Sequence, residues 1–430
     1  MQRFYLGPRY DSLPYVTVVI LLVACFVGGG ASRLDVISLA IVQPLAIVCL
    51  AVITFTAQTF RWRVVRGLLL LIGALAAIMT AQLIPLPPRL WAGLPGHSQF
   101  LDSDAVAGLG PVWRPISLTP DLTLAGLASL SVPLAMTIGC AALSAEQCRR
   151  LLPIVLVGAA VSAVVGVVQL VGAGREALYP YSVTNFGSAV GLFANRNHQA
   201  VLLAMAWPMA ALWASLPGAR GGMMARRGIA LAVAIFLLPM ILATGSRGGI
   251  VLGLGGLLMG VVLSRPLSGA SLGKRQRALI VAGSLGAAFV VLTAAVLLSR
   301  DEALQRLVGA APDEESRLQF IPVLVRMTMD FFPVGAGFGG FDPLFRAYEP
   351  LALLKPTYFN HAHNDVLETI IAGGLPAALL MAVFAWWFIR RVMALVRPAH
   401  RGASVAFARL GATVIALLWL GSLVDYPVRT

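Results

Sequence analysis

Residues 361–391 read HAHNDVLETIIAGGLPAALLMAVFAWWFIRR. The polar groups crowd into the first eight positions, an apolar run follows over 367–389, and Arg390 and Arg391 close it. As a helix rising about 1.5 Å per residue, such a run crosses a hydrocarbon layer of about 30 Å. Ten further runs of the same kind lie near 14–30, 35–57, 64–85, 122–144, 151–173, 199–216, 228–245, 248–264, 278–299 and 404–424. Within 228–264 only Thr244 to Gly248 interrupt the apolar sequence. At 430 residues, 59% hydrophobic and 12% charged, with a mean hydropathy of +0.86, the chain has too little polar surface to cover a water-soluble body. The expected fold is an all-α polytopic membrane protein of about 11–12 transmembrane helices, residues 1–430 forming a single integral membrane domain. No cleavage-site pattern follows the first run, which therefore reads as a retained anchor.

The net charge of +14 is an orientation signal rather than a nucleic-acid footprint. With the N-terminus in the cytoplasm, alternate loops collect Arg3 and Arg9, Arg61/Arg63/Arg66, Arg149/Arg150, Arg220/Arg226/Arg227, Arg265/Lys274/Arg275/Arg277 and Arg390/Arg391/Arg397/Arg401/Arg409. That side holds nineteen of the 32 basic residues and two acids, Asp11 and Glu146; the other holds thirteen basic and sixteen acidic residues. Short loops thus follow the positive-inside rule at every turn. Cys25, Cys49, Cys140 and Cys148 fall in spans or on the cytoplasmic side, so no disulfide framework or thiolate metal site is implied outside.

Two outward-facing connections are long. The segment 86–121, entered through LIPLPPRLWAGLPGH, carries Trp91 and Trp113, as an interfacial segment against headgroups would. The segment 300–366 is the largest extramembrane piece. Its SRLQFIPVLVRMTMDFF places Leu318, Ile321, Val325 and Met329 at helical spacing, with Arg317, Arg326 and Asp330 elsewhere around the wheel, which predicts an amphipathic helix. Pro322 is expected to kink it or mark its first turn. The following PVGAGFGGF is a turn or loop signal. Its GAGFGG formally fits a dinucleotide fingerprint, but it follows a helix rather than a buried strand, so its glycines read as a tight path beside the bundle. Asp102-Ser103-Asp104 has the form of a cation-holding DxD and equally that of a solvated loop, the reading favoured here.

Three clusters carry candidate chemistry. Arg247, in ILATGSRGGIVLG, stands between two apolar runs, where a guanidinium costs about 3 kcal/mol or more unless it reaches water or an anion. It reads as an anion-binding residue or as a snorkelling arginine at a hairpin tip, and the nearby glycines would let a bulky headgroup approach the backbone. Arg196 and His198, in GLFANRNHQAVLL, enter the sixth run from the same outer face. Asn195 and Asn197 beside them suit sugar hydroxyls or a helix cap. In HAHND, His361 and His363 at i,i+2 have metal-ligand potential, but no third ligand segment accompanies them outside, and no metal or other cofactor is expected. Asn364 and Asp365 suit a helix cap and a first-turn acid. An earlier helix start would pair His361 with Asp365 at i,i+4 and leave His363 facing the bundle, where a neutral imidazole is a natural general base.

In this order, FANRN, TGSRGG, SRLQF…DFFPVGAGFGGF and HAHNDVLETIIAGGLPA resemble the O-antigen ligase and polymerase superfamily from about Gly191 to Pro376. The early LIPLPPRLW…WRPISLTPD is similar to members linked to exopolysaccharide assembly. The family's His-Asn, nine residues, Gly pattern falls on His363, Asn364 and Gly374, while Ala377 stands where a second glycine is usual. By resemblance the two essential arginines of the ligases fall on Arg247 and Arg317. The closing DYPVRT resembles a segment that often precedes one more span, so the count of eleven is consistent with an early end.

The resemblance implies a multi-pass bacterial inner-membrane glycosyltransferase. Its active site would be periplasmic, with the 300–366 loop carrying part of it. The donor would be a glycan on undecaprenyl diphosphate, and the acceptor lipid A-core or a growing chain; apart from membrane lipids no other partner is implied. Arginine forks would neutralise the leaving diphosphate without a metal, and His363 would take the acceptor proton in a single, inverting displacement. Arg196, Asn195, Asn197, His361 and Asn364 would bind substrate. The alternative class is a transporter or flippase for lipid-linked glycans. It would ordinarily place acids within spans and show related halves, and neither is evident in the sequence.

Overall fold

The computed structural model describes residues 12–33, 36–108, 110–172, 175–216, 220–263, 312–354, 359–396 and 402–429. In chain order the helices are α1 (Leu13–Gly28), α2 (Ile37–Thr56), α3 (Trp62–Gln82), α4 (Pro88–Ala92), α5 (Leu101–Val106), α6 (Pro120–Ser129), α7 (Ser131–Ala142) and α8 (Ala145–Val171). They continue as α9 (Arg196–Ser215), α10 (Arg220–Ala243), α11 (Arg247–Leu263), α12 (Pro312–Phe331), α13 (Phe341–Tyr348), α14 (Asp365–Val396) and α15 (Ala403–Gly421). Pro85–Leu86 (β1) pairs antiparallel with Arg114–Pro115 (β2), the one sheet among the described residues. The protein is an all-α polytopic membrane protein: among the described residues seven helices are long and apolar enough to cross a membrane, with α1 and α11 apolar but shorter. The expected span at 278–299 lies outside the described residues.

Two compact units divide the chain. The first comprises Met1–Gly29, Arg33–Cys148 and Ser316–Trp386; the second comprises Gly30–Ser32, Arg149–Glu315 and Trp387–Thr430.

In the first unit, α1, α2 and α7 pack through small side chains. Leu21, Ala46, Cys49 and Ala135 form a buried cluster, and a Cβ at Gly139 would stand 2.5 Å from Val18. Without a hydrophobic drive between helices in lipid, such close approach supplies the dispersion contacts that hold them. The segment between α3 and α6 folds back as a polar-clamped loop rather than lying loose. Trp91 is only 3% exposed and its Nε1 donates to Pro115 O at 2.8 Å, so its expected interfacial role is corrected: an indole N–H taken out of water needs an acceptor, and β2 provides one. Trp113, in contrast, is 65% exposed. His97, fully buried, sets its ring nitrogens 2.9 Å from Pro95 O and 2.8 Å from Ile116 O and stands edge-on to Trp91 and Phe331.

The amphipathic helix over the 312–331 stretch forms, with Pro322 inside it, but its inward face differs from the one the spacing picked. Phe320, Leu324, Met327 and Phe331 make the core with Phe341, Leu344 and Phe345 of α13, whereas Ile321, Val325 and Met329 are exposed, Met329 at 72%. The helix is apolar on two sides, and periodicity alone does not say which side finds a partner. Tyr348 at the end of α13 accepts a hydrogen bond from Gln99 at 2.9 Å; burial, with Asp330 nearby, raises its phenol above the ordinary value while the Gln99 bond opposes the shift.

After α12 the GAGFGG stretch threads through a break in α14. Gly374 has φ 59° and ψ −148°, and the helix is interrupted there. The interruption turns carbonyls outward: Ala336 N donates to Ile371 O and Gly337 N to Ala372 O, each at 2.9 Å, Gln82 Nε2 donates to Ala372 O at 2.8 Å, and Leu375 N reaches Pro333 O at 2.8 Å. A Cβ on Gly374 would stand 2.1 Å from Pro333 O. Gly335 and Gly374 are therefore required by backbone-to-backbone contact, as a tight path beside a helix demands.

In the second unit α9 lies at the centre, packed by α10, α11 and α15. Its buried face runs almost all round, from His198 to Ala214, and its polar start, Arg196 to Gln199, keeps it outside the seven apolar helices. On α11, Gly249, Gly253, Gly256 and Gly260 are buried; a Cβ at Gly256 would stand 2.2 Å from Ala204 O. This is small-residue packing of two helices at minimal separation.

Candidate functional site

The expected site residues fall into two groups, one in each unit. In the first unit, the chain enters α14 through the HAHND turn. Asn364 caps the helix: its Oδ1 accepts from Leu367 N at 3.0 Å and its carbonyl from Glu368 N at 3.1 Å. Asp365 and Glu368 stand in the first turn, where the helix dipole favours negative charge. Because the helix begins at Asp365, His361 lies outside it, so the earlier start that would set the two residues at helical i,i+4 spacing is not the one adopted. Instead the turn folds back and His361 Nδ1 meets Glu368 Oε1 at 2.9 Å, while Ala362 N donates to Glu368 Oε2 at 2.8 Å.

His363 is held differently. Its backbone is left-handed, φ 50°, alone in this among the described non-glycine residues. Its Nδ1 is 2.9 Å from His361 O, and its ring lies 4.6 Å from that of Phe359. A carbonyl only accepts, so Nδ1 carries the hydrogen of that bond and the neutral ring has its lone pair on Nε2. The arrangement leaves the imidazole a proton acceptor at one defined atom. A left-handed histidine costs about 1–2 kcal/mol, and strain of this kind concentrates where an orientation matters.

In the second unit, two arginines sit at the first positions of two packed helices. Ser246 caps α11, its Oγ accepting from Gly249 N at 3.0 Å, and Arg247 follows, half-buried. Asn195 caps α9, its Oδ1 accepting from Asn197 N at 2.8 Å, and Arg196 follows, half-buried, its own N–H donating to Asn185 Oδ1 at 3.1 Å. The two ends are neighbours: a Cβ built on Gly245 would lie 3.9 Å from Arg196 Nη1, and one on Gly249 2.3 Å from Ala200 Cβ. Gly249 therefore serves helix packing rather than headgroup access, which corrects that part of the expectation. Helix N-termini carry partial positive charge, so two of them with two guanidinium groups make a region suited to an anion such as a phosphate.

Behind Arg196 lies a buried polar cluster that includes a residue the sequence reading passed over. Asp425, 3% exposed, accepts at Oδ2 from Asn197 Nδ2 and from Asn195 Nδ2 at 3.4 Å, and at Oδ1 from Tyr426 N at 3.0 Å; His198 Nε2 is 3.9 Å from Oδ1. Tyr426 stands edge-on to His198 at 4.8 Å. Asn195 and Asn197 thus spend their amides on the cap and on Asp425. The available signal was an acid in a chain poor in acids, immediately after the last apolar run. Glu368, an acid inside the start of an apolar run, was signalled in the same way. The side chain of Arg317, on α12, lies outside the described residues. Among the described residues no three or more His, Cys, Asp or Glu side chains converge as metal ligands.

Residues 231–382, which contain Arg247, His361, His363, Asn364, Glu368 and Gly374, match the protein-family model described as O-antigen ligase. No curated protein matches the chain.

Proposed function

We propose, from the premise that residues 231–382 place this chain in the O-antigen ligase and polymerase superfamily, that it moves a glycan from undecaprenyl diphosphate to a sugar hydroxyl. The reaction occurs at the periplasmic face of the bacterial inner membrane. The observation that carries the reading is His363, inside the matched segment, with Nδ1 on a carbonyl, which makes Nε2 the basic nitrogen of the neutral ring.

In this reading the acceptor hydroxyl oxygen attacks the anomeric carbon and its proton goes to His363 Nε2. The bond from the anomeric carbon to the diphosphate oxygen breaks, and the lipid diphosphate leaves with the electron pair. One displacement inverts the anomeric centre. A positioned base of this kind contributes about 10² to 10⁴ in rate. Arg247, with Arg317 and with Arg196 as an outer partner, neutralises the charge that develops on the diphosphate, and the helix N-termini beneath Arg196 and Arg247 act in the same sense. Planar guanidinium forks bind phosphate oxygens in pairs, so the chemistry asks for no metal. Asn195, Asn197 and Asn364 shape the starts of α9 and α14, and His361 the turn before α14, where they would meet substrate.

Purified enzyme given lipid-linked repeat units tests the proposal and divides its two forms. Lengthening products without further addition identify a polymerase; transfer that depends strictly on added lipid A-core identifies a ligase. A His363→Ala enzyme that retained full transfer would sink the assignment of the base, whereas a wild-type protein that transfers nothing from the lipid-linked donor would reopen the transporter class.

A further inference from the structure

Glu368 is an acid whose two oxygens both hold the turn that presents His363. It is 2% exposed; Oε1 lies 2.9 Å from His361 Nδ1 and Oε2 2.8 Å from Ala362 N. An ionised carboxylate only accepts, so His361 Nδ1–H and Ala362 N–H both donate to it. The next bond in the chain runs from His363 Nδ1 to His361 O at 2.9 Å. The carboxylate therefore fixes two consecutive residues, and the carbonyl of the first fixes the ring of His363, whose backbone is left-handed, φ 50°. Buried acids at a helix start also serve the helix dipole, but that role needs neither both oxygens on the preceding turn nor the reach across His361.

We propose that Glu368 is the positioning residue of the reaction: through His361 and Ala362 it sets the direction and the tautomer of His363. The inference rests on the reading of His363 as the base. Glu368 touches neither donor nor acceptor; its effect is on how well the base is aimed, and so on turnover rather than on binding.

The test compares Glu368→Gln and Glu368→Ala with His363→Ala in full-length enzyme, each first shown to be folded by size-exclusion behaviour and far-ultraviolet dichroism in detergent. Glutamine keeps the volume and one accepting oxygen, but its NH₂ opposes one of the two donors; alanine removes both acceptors. The expected result is a fall in kcat of about tenfold for Glu368→Gln and about 100-fold for Glu368→Ala, part of the total a base contributes. The donor KM stays within about twofold, because uniform binding is untouched. A Glu368→Gln enzyme with wild-type kcat, or one whose donor KM rises while kcat holds, overturns the inference, and the Gln variant decides alone if the Ala variant does not fold. If His363→Ala is inactive while both Glu368 variants turn over normally, the base stands and only the positioning role falls. If His363→Ala is fully active, the base falls first and the positioning role with it.

Discussion

The turn before α14 and the paired starts of α9 and α11 solve different problems with the same element, a helix N-terminus. At α14 the cap is Asn364 and the first turn holds two acids, Asp365 and Glu368, the charge that a helix start favours. At α9 and α11 the caps are Asn195 and Ser246, and each is followed by an arginine, the charge that a helix start disfavours. The first arrangement ties Glu368 to His361 and Ala362 and holds a ring still. The second concentrates positive potential and becomes favourable when an anion joins it. In the proposed reaction the proton chemistry belongs to the first unit and the charge neutralisation to the second.

The largest effect expected from that division is at His363. His363→Ala should lower transfer about 10²- to 10⁴-fold while a fluorescent lipid-diphosphate donor still binds with near wild-type affinity. Lost donor binding would collapse the contrast. Next, Arg247→Ala should lower kcat/KM about 100-fold, and Arg247→Lys should recover little of it, because an ammonium is a point charge without the planar fork. Full recovery by lysine would show that net charge, not geometry, matters at the start of α11.

The remaining tests act on the supports. Gly374→Ala should destabilise the first unit by about 1–3 kcal/mol, since φ 59° is strained for alanine and its Cβ would meet Pro333 O; a thermal melt in detergent reads it. Asp425→Asn should cost about 1–2 kcal/mol, because a single amide oxygen cannot accept from Asn195, Asn197 and Tyr426 N together. Arg326→Ala, which removes an exposed pair with Asp330 at 3.7 Å, should stay within about 0.5 kcal/mol and serves as the baseline for both units.

Much of the candidate site was legible because its residues are anomalies of composition. In a chain only 12% charged, Arg247 between two apolar runs and the polar cluster before 367 stand out without any coordinates. Capping was legible for the same local reason: Asn364 and Asn195 act on amides two or three residues away. Glu368 and Asp425 were not assigned because their partners are set by how the chain turns. Of the two helix starts the sequence allows, the structure takes the later one, and the partner of His361 is then Glu368, seven residues on. Asp425 meets Asn195 and Asn197 across some 230 positions.

What the sequence determined by itself is what depends on local chemistry summed along the chain: apolar runs long enough for lipid, basic loops, caps, and glycines marking a tight path. What only the tertiary structure decided is which side of an element finds a partner. It buried Phe320, Leu324 and Met327 of α12 and left Ile321, Val325 and Met329 exposed, and it took Trp91 into the core. It also broke α14 at Gly374 so that the backbone of Ala336 and Gly337 could hydrogen-bond into it. Hydropathy reports the tendency to leave water and is blind to direction; direction comes from close packing and from the need of each buried polar group for a partner.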